Sequence, residues 1–110
     1  MLVYKIFRGP EWADMQAHGT SRGAPIDLSD GYIHLSTAAQ VAETAARHFA
    51  GEDGLNLLTL DAEKLAPLKW ESSRGGDLFP HLYRDLQISD ILRADPLPLR
   101  DGRHDFTGLL

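Results

Sequence analysis

Apolar residues in this chain cluster in short alternating or continuous runs, broken at near-regular intervals by Gly, Pro, Ser and Asp. Residues 2–7 are apolar and aromatic apart from Lys5 and predict an N-terminal strand. Gly9 and Pro10 end it. Pro10 suits the first turn of a helix, where its missing N–H is no loss. Trp12 and Met15 then share a face at i,i+3 spacing, Trp12 as a core anchor, and Gly19 stops the helix. Residues 20–31 read as a loop or lightly structured connector, long enough to rim a pocket.

Residues 32–35 predict a short strand that runs directly into the chain's most regular helix. Ala38, Val41, Ala42, Ala45 and Phe49 form its apolar stripe. Thr37 and Gln40 fit a capping box, and Glu43 and Arg47 pair on the polar side. Residues 55–60 are almost continuously apolar, which predicts a central strand. A turn or single helical turn follows at 61–65. Residues 68–71 predict a strand, 72–76 a glycine turn, and 78–86 a further strand beginning after Pro80. The last strand falls at 91–97, where Pro96 marks an edge. Residues 100–110 are polar before Phe106, Leu109 and Leu110, which dock or fray. Five or six short strands with two main helices, not alternating, predict an α+β class with a small mixed, mostly antiparallel sheet.

At 110 residues the chain is expected to form one domain, with its core over about 2–99 and a tail at 100–110. The formal net charge is −5, from 16 acidic and 11 basic residues with no basic run. Phosphate neutralisation over a broad nucleic-acid surface is therefore not expected. There is no cysteine, so disulfides, thiolate nucleophiles and Cys-ligated zinc are excluded. No basic-then-apolar leader and no apolar window of membrane-spanning length is present, and a cytoplasmic location without membrane insertion is expected.

Two histidines stand in otherwise apolar strands. Tyr32 and His34 point to the same side of theirs, and His81 and Tyr83 to the same side of another. Histidine titrates near neutrality, so His34 and His81 on facing strands could form an acid/base pair or sandwich a planar ring. Glu71, at a strand end before the glycine turn, could hold ribose hydroxyls or act as a base. Ser36 and Thr37, at a helix start, could seat an anion. Each has a structural alternative: half-buried histidines tied to carboxylates, hydroxyls that merely cap, and a glutamate paired with Arg74 or Arg84. Asp27 and Arg22 precede the His34 strand, where an arginine could clamp a phosphate. The histidines, His18, His34, His48, His81 and His104, lack short metal-ligand spacing, and no nucleophile elbow supports a serine triad.

These residues carry a resemblance. VYKIF at 3–7, Trp12, DGYIHLSTAAQV at 30–41, LLTLD at 57–61, the block LKWESSRGGDLFPHLY at 68–83, and Leu86 resemble the DUF952 family across residues 2–99. The resemblance implies an ADP-ribosyltransferase-like fold, a split pair of small sheets with NAD held in the cleft. Gly31 to Ser36 followed by a helix is similar to the glycine, aromatic strand and serine-start helix of poly-ADP-ribose polymerases. His81-Leu82-Tyr83 and then Gln87-Ile88 resemble the segment that begins with their catalytic glutamate. On that match His81 stands in the glutamate's place, and residues 3–7 lack the superfamily's first-strand histidine or arginine.

The resemblance therefore implies a small-molecule cleft for NAD, a nucleotide or another phosphate-bearing ligand, lined by Tyr32, His34, Ser36, Thr37, Glu71, His81 and Tyr83. Ribosyl or phosphoryl transfer is one reading, with His81 or Glu71 as base and His34 as orienting donor. A non-catalytic binding or regulatory module is the other.

Overall fold

In a computed structural model, which describes residues 1–73 and 75–110, the first apolar run becomes strand β1 (Leu2–Arg8), buried on both faces. It lies inside a four-stranded antiparallel sheet beside β4 (Ser36–Thr37) and β5 (Leu55–Asp61), and β9 (Ile91–Leu97) completes the order β4-β1-β5-β9. The near-continuous apolar sequence of β5 follows from this place. With neighbours on both edges and cores on both faces, nearly all its side chains are enclosed. Pro96 sits on β9, an edge strand, where a missing N–H faces no partner.

Helix α1 (Gly9–His18) starts where Glu11 accepts the Arg8 N–H at 2.7 Å. It ends at Gly19, whose positive φ of 75° lets its N–H reach the Met15 carbonyl. Met15 is buried, and Trp12 packs on the same core while partly exposed. The expected connector at 20–31 is instead ordered structure. It holds β2 (Thr20–Ser21), which pairs with β8 (Leu86–Gln87), and a six-residue helix α2 (Pro25–Asp30). Pro25 opens α2, Asp27 accepts the Ala24 N–H at 2.7 Å, and Gly31 closes it at φ 85°. Its large apolar residues, Ile26 and Leu28, both face out. A helix this short and with that orientation leaves no apolar period to read.

The expected strand at 32–35 is two strands in two sheets. β3 (Ile33–His34) belongs to a three-stranded antiparallel sheet with β7 (Asp77–Leu82) and β6 (Leu68–Ser73), ordered β3-β7-β6. After Leu35 the chain crosses to β4, where Ser36 opposes Tyr4 and Thr37 opposes Val3. The cause lies across the ladder. Leu35 donates to the Pro80 carbonyl at 3.0 Å, but proline has no N–H to return. Pairing stops there and the strand is released to the other sheet. β7 begins at Asp77, not after Pro80 as expected, because Pro80 sits within the strand at this break.

Helix α3 (Val41–His48) starts later than expected. Ser36 and Thr37 are strand residues and do not cap it. Of the capping box, the half in which Gln40 accepts the Thr37 N–H is present, at 3.1 Å. Val41, Ala45 and Phe49 are buried, whereas Ala38 and Ala42 are exposed, so the apolar stripe is narrower than the alanine pattern implied.

The four-stranded sheet separates two cores. Val3, Phe7, Leu58 and Leu60 pack with Met15 and Leu82 on one face. Tyr4, Ile6, Leu55, Leu57 and Leu97 pack with Val41 and Ala45 of α3 on the other. The tail closes over this second core. A hairpin of β10 (Leu99–Arg100) and β11 (Arg103–His104) turns at Asp101 and Gly102, both at positive φ. Phe106 and Leu109 then dock against the core, and Leu110 stays exposed. The chain is a small α+β structure of mostly antiparallel strands with three α-helices among its described residues; α2 adds to the two helices expected, and five long strands are supplemented by two-residue bridges.

Candidate functional site

His34 on β3 and His81 on β7 are direct partners across the antiparallel ladder. Paired residues project to the same face, so two segments nearly fifty positions apart bring their imidazoles together. The ring centroids lie 5.4 Å apart, edge to face. Tyr32 stacks on His81 at 4.2 Å and leans on His34 at 4.6 Å. The three rings form one wall of a cleft of about 470 Å³. The cleft runs between the first residues of α2, strand β1 and one face of α3.

Each imidazole is held by a carboxylate. His81, itself buried, has Nδ1 2.9 Å from Glu71 Oε1. The same oxygen accepts the Tyr83 hydroxyl at 2.6 Å. The Tyr83 and His81 hydrogen bonds hold the Glu71 carboxyl below its ordinary value. In return, the Glu71 hydrogen bond pushes the Tyr83 hydroxyl up to about 12. Nδ1 of His81 is therefore committed to Glu71.

His34 is tied more tightly, and to a residue that sequence reasoning did not place. Its Nδ1 lies 2.6 Å from Asp27 Oδ1, which also accepts the His34 backbone N–H at 3.0 Å. Asp27 Oδ2 accepts the Ala24 N–H and pairs with Lys5 Nζ at 2.7 Å. Lys5 donates onward to the His34 carbonyl at 3.0 Å. Asp27 and Lys5 are thus a buried hub behind the first histidine. Burial acts to raise the Asp27 carboxyl. The hydrogen bond from His34 and the charge of Lys5 outweigh it, leaving the group below its ordinary value. For Lys5 burial is the largest influence, and its amine is lowered despite Asp27. The second ring nitrogen of His34 meets Asp30 Oδ2 at 2.9 Å.

The remaining expectations divide. Tyr32, His34, Ser36 and His81 line the cleft. Thr37 does not, because strand alternation turns it away from Ser36. Ser36 itself exchanges a 2.8 Å hydrogen bond with Thr44 on α3 rather than seating an anion at a helix end. Glu71 and Tyr83 stand behind His81 and not in the cleft. Of the two arginines considered for Glu71, Arg74 lies outside the described residues. Arg84 is clamped on Asp90 at 2.7 and 3.0 Å. Arg22 lines a separate hollow of about 180 Å³ on the other side of Tyr32. Among the described residues no group of three His, Cys, Asp or Glu side chains is arranged to hold a metal ion. No helix among them is long and apolar enough to cross a membrane.

The cleft also contains residues not singled out from sequence. Val41, Thr44 and His48 line it at i, i+3 and i+7 of α3. Arg8 closes the far end, held by Glu52 through two hydrogen bonds of 2.8 and 3.1 Å and lying over the Phe49 ring at 4.7 Å. A lone lysine in an apolar strand was the signal for Lys5. The signal for Asp27 was its place three residues past a helix start, between Pro25 and Gly31. Of the basic side chains along the cleft, Lys5 is paired with Asp27, Arg8 with Glu52, and His34 and His81 are each backed by a carboxylate. Such a site can orient an anionic, ring-bearing ligand and move a proton through carboxylate-backed imidazole.

The chain is similar to protein CC0527 from Caulobacter crescentus. The crystal structure of that protein is 47% identical, with 97% of this chain and 96% of that one covered and a TM-score of 0.93. Its solution NMR structure is also 47% identical, covering 99% and 96% of the two chains with a TM-score of 0.88. No curated protein matches. The family model described as "Protein of unknown function (DUF952)" matches residues 6–94, which takes in both histidines, their three carboxylate partners and the strands that carry the histidines. The chain belongs to the DUF952 family.

Proposed function

We propose that the cleft binds NAD or another phosphate-bearing nucleotide, with His34 and His81 facing the ligand. The observation that carries this reading is the register pairing of the two histidines, each backed by its own carboxylate, on the wall of one cleft. A volume of about 470 Å³ falls within the range of small-molecule sites. Tyr32 and Phe49 offer aromatic surface for a base, and the Arg8 guanidinium at one end of the cleft offers a donor group for phosphate. Two small antiparallel sheets bordering the cleft support a relationship to the ADP-ribosyltransferase fold. At a ribosyl or phosphoryl centre, His81 with Glu71 behind it would accept the proton of the attacking group. His34 would orient the substrate.

The second reading is a binding or regulatory module without turnover. One observation favours it: His81, the group that would take the proton, is buried beneath the Tyr32 ring.

Calorimetric titration with NAD and with mononucleotides, followed by chromatography for released nicotinamide or phosphate, tests both. Saturable binding with product release, lost in a folded His81→Ala variant, supports the transferase. Saturable binding without release supports the module. Absence of binding by any nucleotide overturns the proposal.

A further inference from the structure

Two carboxylates address the one imidazole of His34, and they differ in kind. Asp27 on Nδ1 has a side chain that is 0% exposed and is fixed by Lys5 and by two backbone N–H groups. Asp30 on Nε2 is 42% exposed. It is the last residue of α2, followed by a glycine in the left-handed region. Among the described residues the Asp30 side chain makes no ion pair besides this contact with His34. Asp27 therefore sets the ring's orientation, while Asp30 occupies the nitrogen that faces the cleft and is free to turn aside.

Resting on the nucleotide reading above, we infer that Asp30 makes the His34 end of the cleft a sugar-hydroxyl subsite and bars phosphate from it. The reason is donor and acceptor chemistry. A fully ionised phosphate-ester oxygen carries no proton and only accepts, so it could bond His34 but would face the Asp30 carboxylate as a like charge. A hydroxyl accepts from the imidazole and donates to the carboxylate at once. It fits between them once Asp30 swings out until the two groups are about 5 Å apart, the span of two hydrogen bonds meeting at an angle. The ligand is then placed with a sugar hydroxyl between His34 and Asp30 and its phosphate toward Arg8, which lies three residues along β1 from Lys5, roughly 10 Å at strand spacing.

The test uses Asp30→Asn and Asp30→Ala variants of the full chain, checked for an unchanged amide fingerprint by NMR. Dimethyl phosphate, an anion with no P–OH, is titrated while the His34 imidazole nitrogens are followed. Adenosine 5′-monophosphate and its 2′,3′-dideoxy analogue are compared by calorimetry. In the native protein phosphate is expected to leave the His34 signals in place, and in Asp30→Ala to shift them saturably. The native protein should prefer the hydroxyl-bearing nucleotide by roughly tenfold or more, since a site built to bond a hydroxyl rejects the analogue lacking it. In Asp30→Ala that preference should shrink toward unity. Equal phosphate shifts at His34 in both proteins, or an undiminished hydroxyl preference in the variant, overturn the inference about Asp30. Failure of the nucleotides to bind the native protein overturns the nucleotide reading instead, and the phosphate titration still decides what Asp30 does.

Discussion

Lys5 Nζ lies 2.7 Å from Asp27 Oδ2, with the two side chains 7% and 0% exposed. This pair joins the middle of β1 to α2 and fixes the orientation of His34 from behind. Breaking a buried pair leaves the surviving charge without its partner, which is far costlier than losing an exposed one. Lys5→Met is expected to destabilise the chain by about 3 kcal/mol, read as a lowered urea midpoint. The His34 imidazole signals should shift as well, since Asp27 and the His34 carbonyl both lose the lysine.

Acid should weaken the same hub. The Asp27 carboxyl is raised by burial but lowered overall by the His34 hydrogen bond and the Lys5 charge, to below its ordinary 3.8. A carboxyl whose folded value lies below its unfolded one stabilises the fold above the unfolded value and loses that contribution as pH falls through the folded one. Asp90 acts in the same direction: its burial is outweighed by the Arg84 hydrogen bond and the Gln87 N–H. Urea midpoints are therefore expected to hold near neutrality and to drop below about pH 4. Asp27→Asn should be the less stable protein at pH 7, and its gap to the native chain should narrow in acid.

Glu71 serves two partners through one oxygen, and removing its charge should be felt by both. Tyr83 is held up near 12 chiefly by its hydrogen bond to Glu71. In Glu71→Gln one tyrosine should titrate back toward the ordinary 10.0, seen in the tyrosinate absorbance as pH is raised. On the nucleotide reading proposed above, Glu71→Ala should weaken binding by freeing the His81 ring, whereas Tyr83→Phe should leave that ring anchored and the affinity nearly intact.

Gly23 has a positive φ of 101°, and a Cβ built there would run into the Asp27 carboxylate. Gly23→Ala is expected to cost about 2 kcal/mol in strain and displacement and to move the His34 imidazole signals. Gly19→Ala is the matched comparison. Its φ is also positive, at 75°, but nothing lies within reach of a Cβ. It should lower the thermal midpoint by less and leave His34 undisturbed.

How much of this was legible beforehand depends on the range of the interactions. The strands at β1, β5 and β9 and the helices α1 and α3 were readable because apolar periodicity, Pro10 and Gly19 act locally. α2 was not readable, since six residues with Ile26 and Leu28 facing solvent carry no helical period. The alanines at 38 and 42 misled, because alanine favours a helix whether or not it is buried. His34 and His81 stood out as polar residues in apolar strands, and Glu71 as a carboxylate at a strand end. Asp27 was noticed only as a residue in a connector. Its role depends on Lys5, twenty-two positions away, and no local pattern records that distance.

By itself the sequence determined an α+β chain with two histidine-bearing strands, because alternation, turn residues and helix caps are written into neighbouring positions. It did not determine the place of the strand break, because Pro80 withholds an N–H from Leu35 only once sheet register has brought the two together. Only the tertiary structure decided that residue 34 faces residue 81, that Asp27 and Lys5 are buried behind them, and that Asp30 holds the open ring nitrogen. Those contacts join segments that meet through sheet register and burial, and their geometry exists only once the two sheets are assembled.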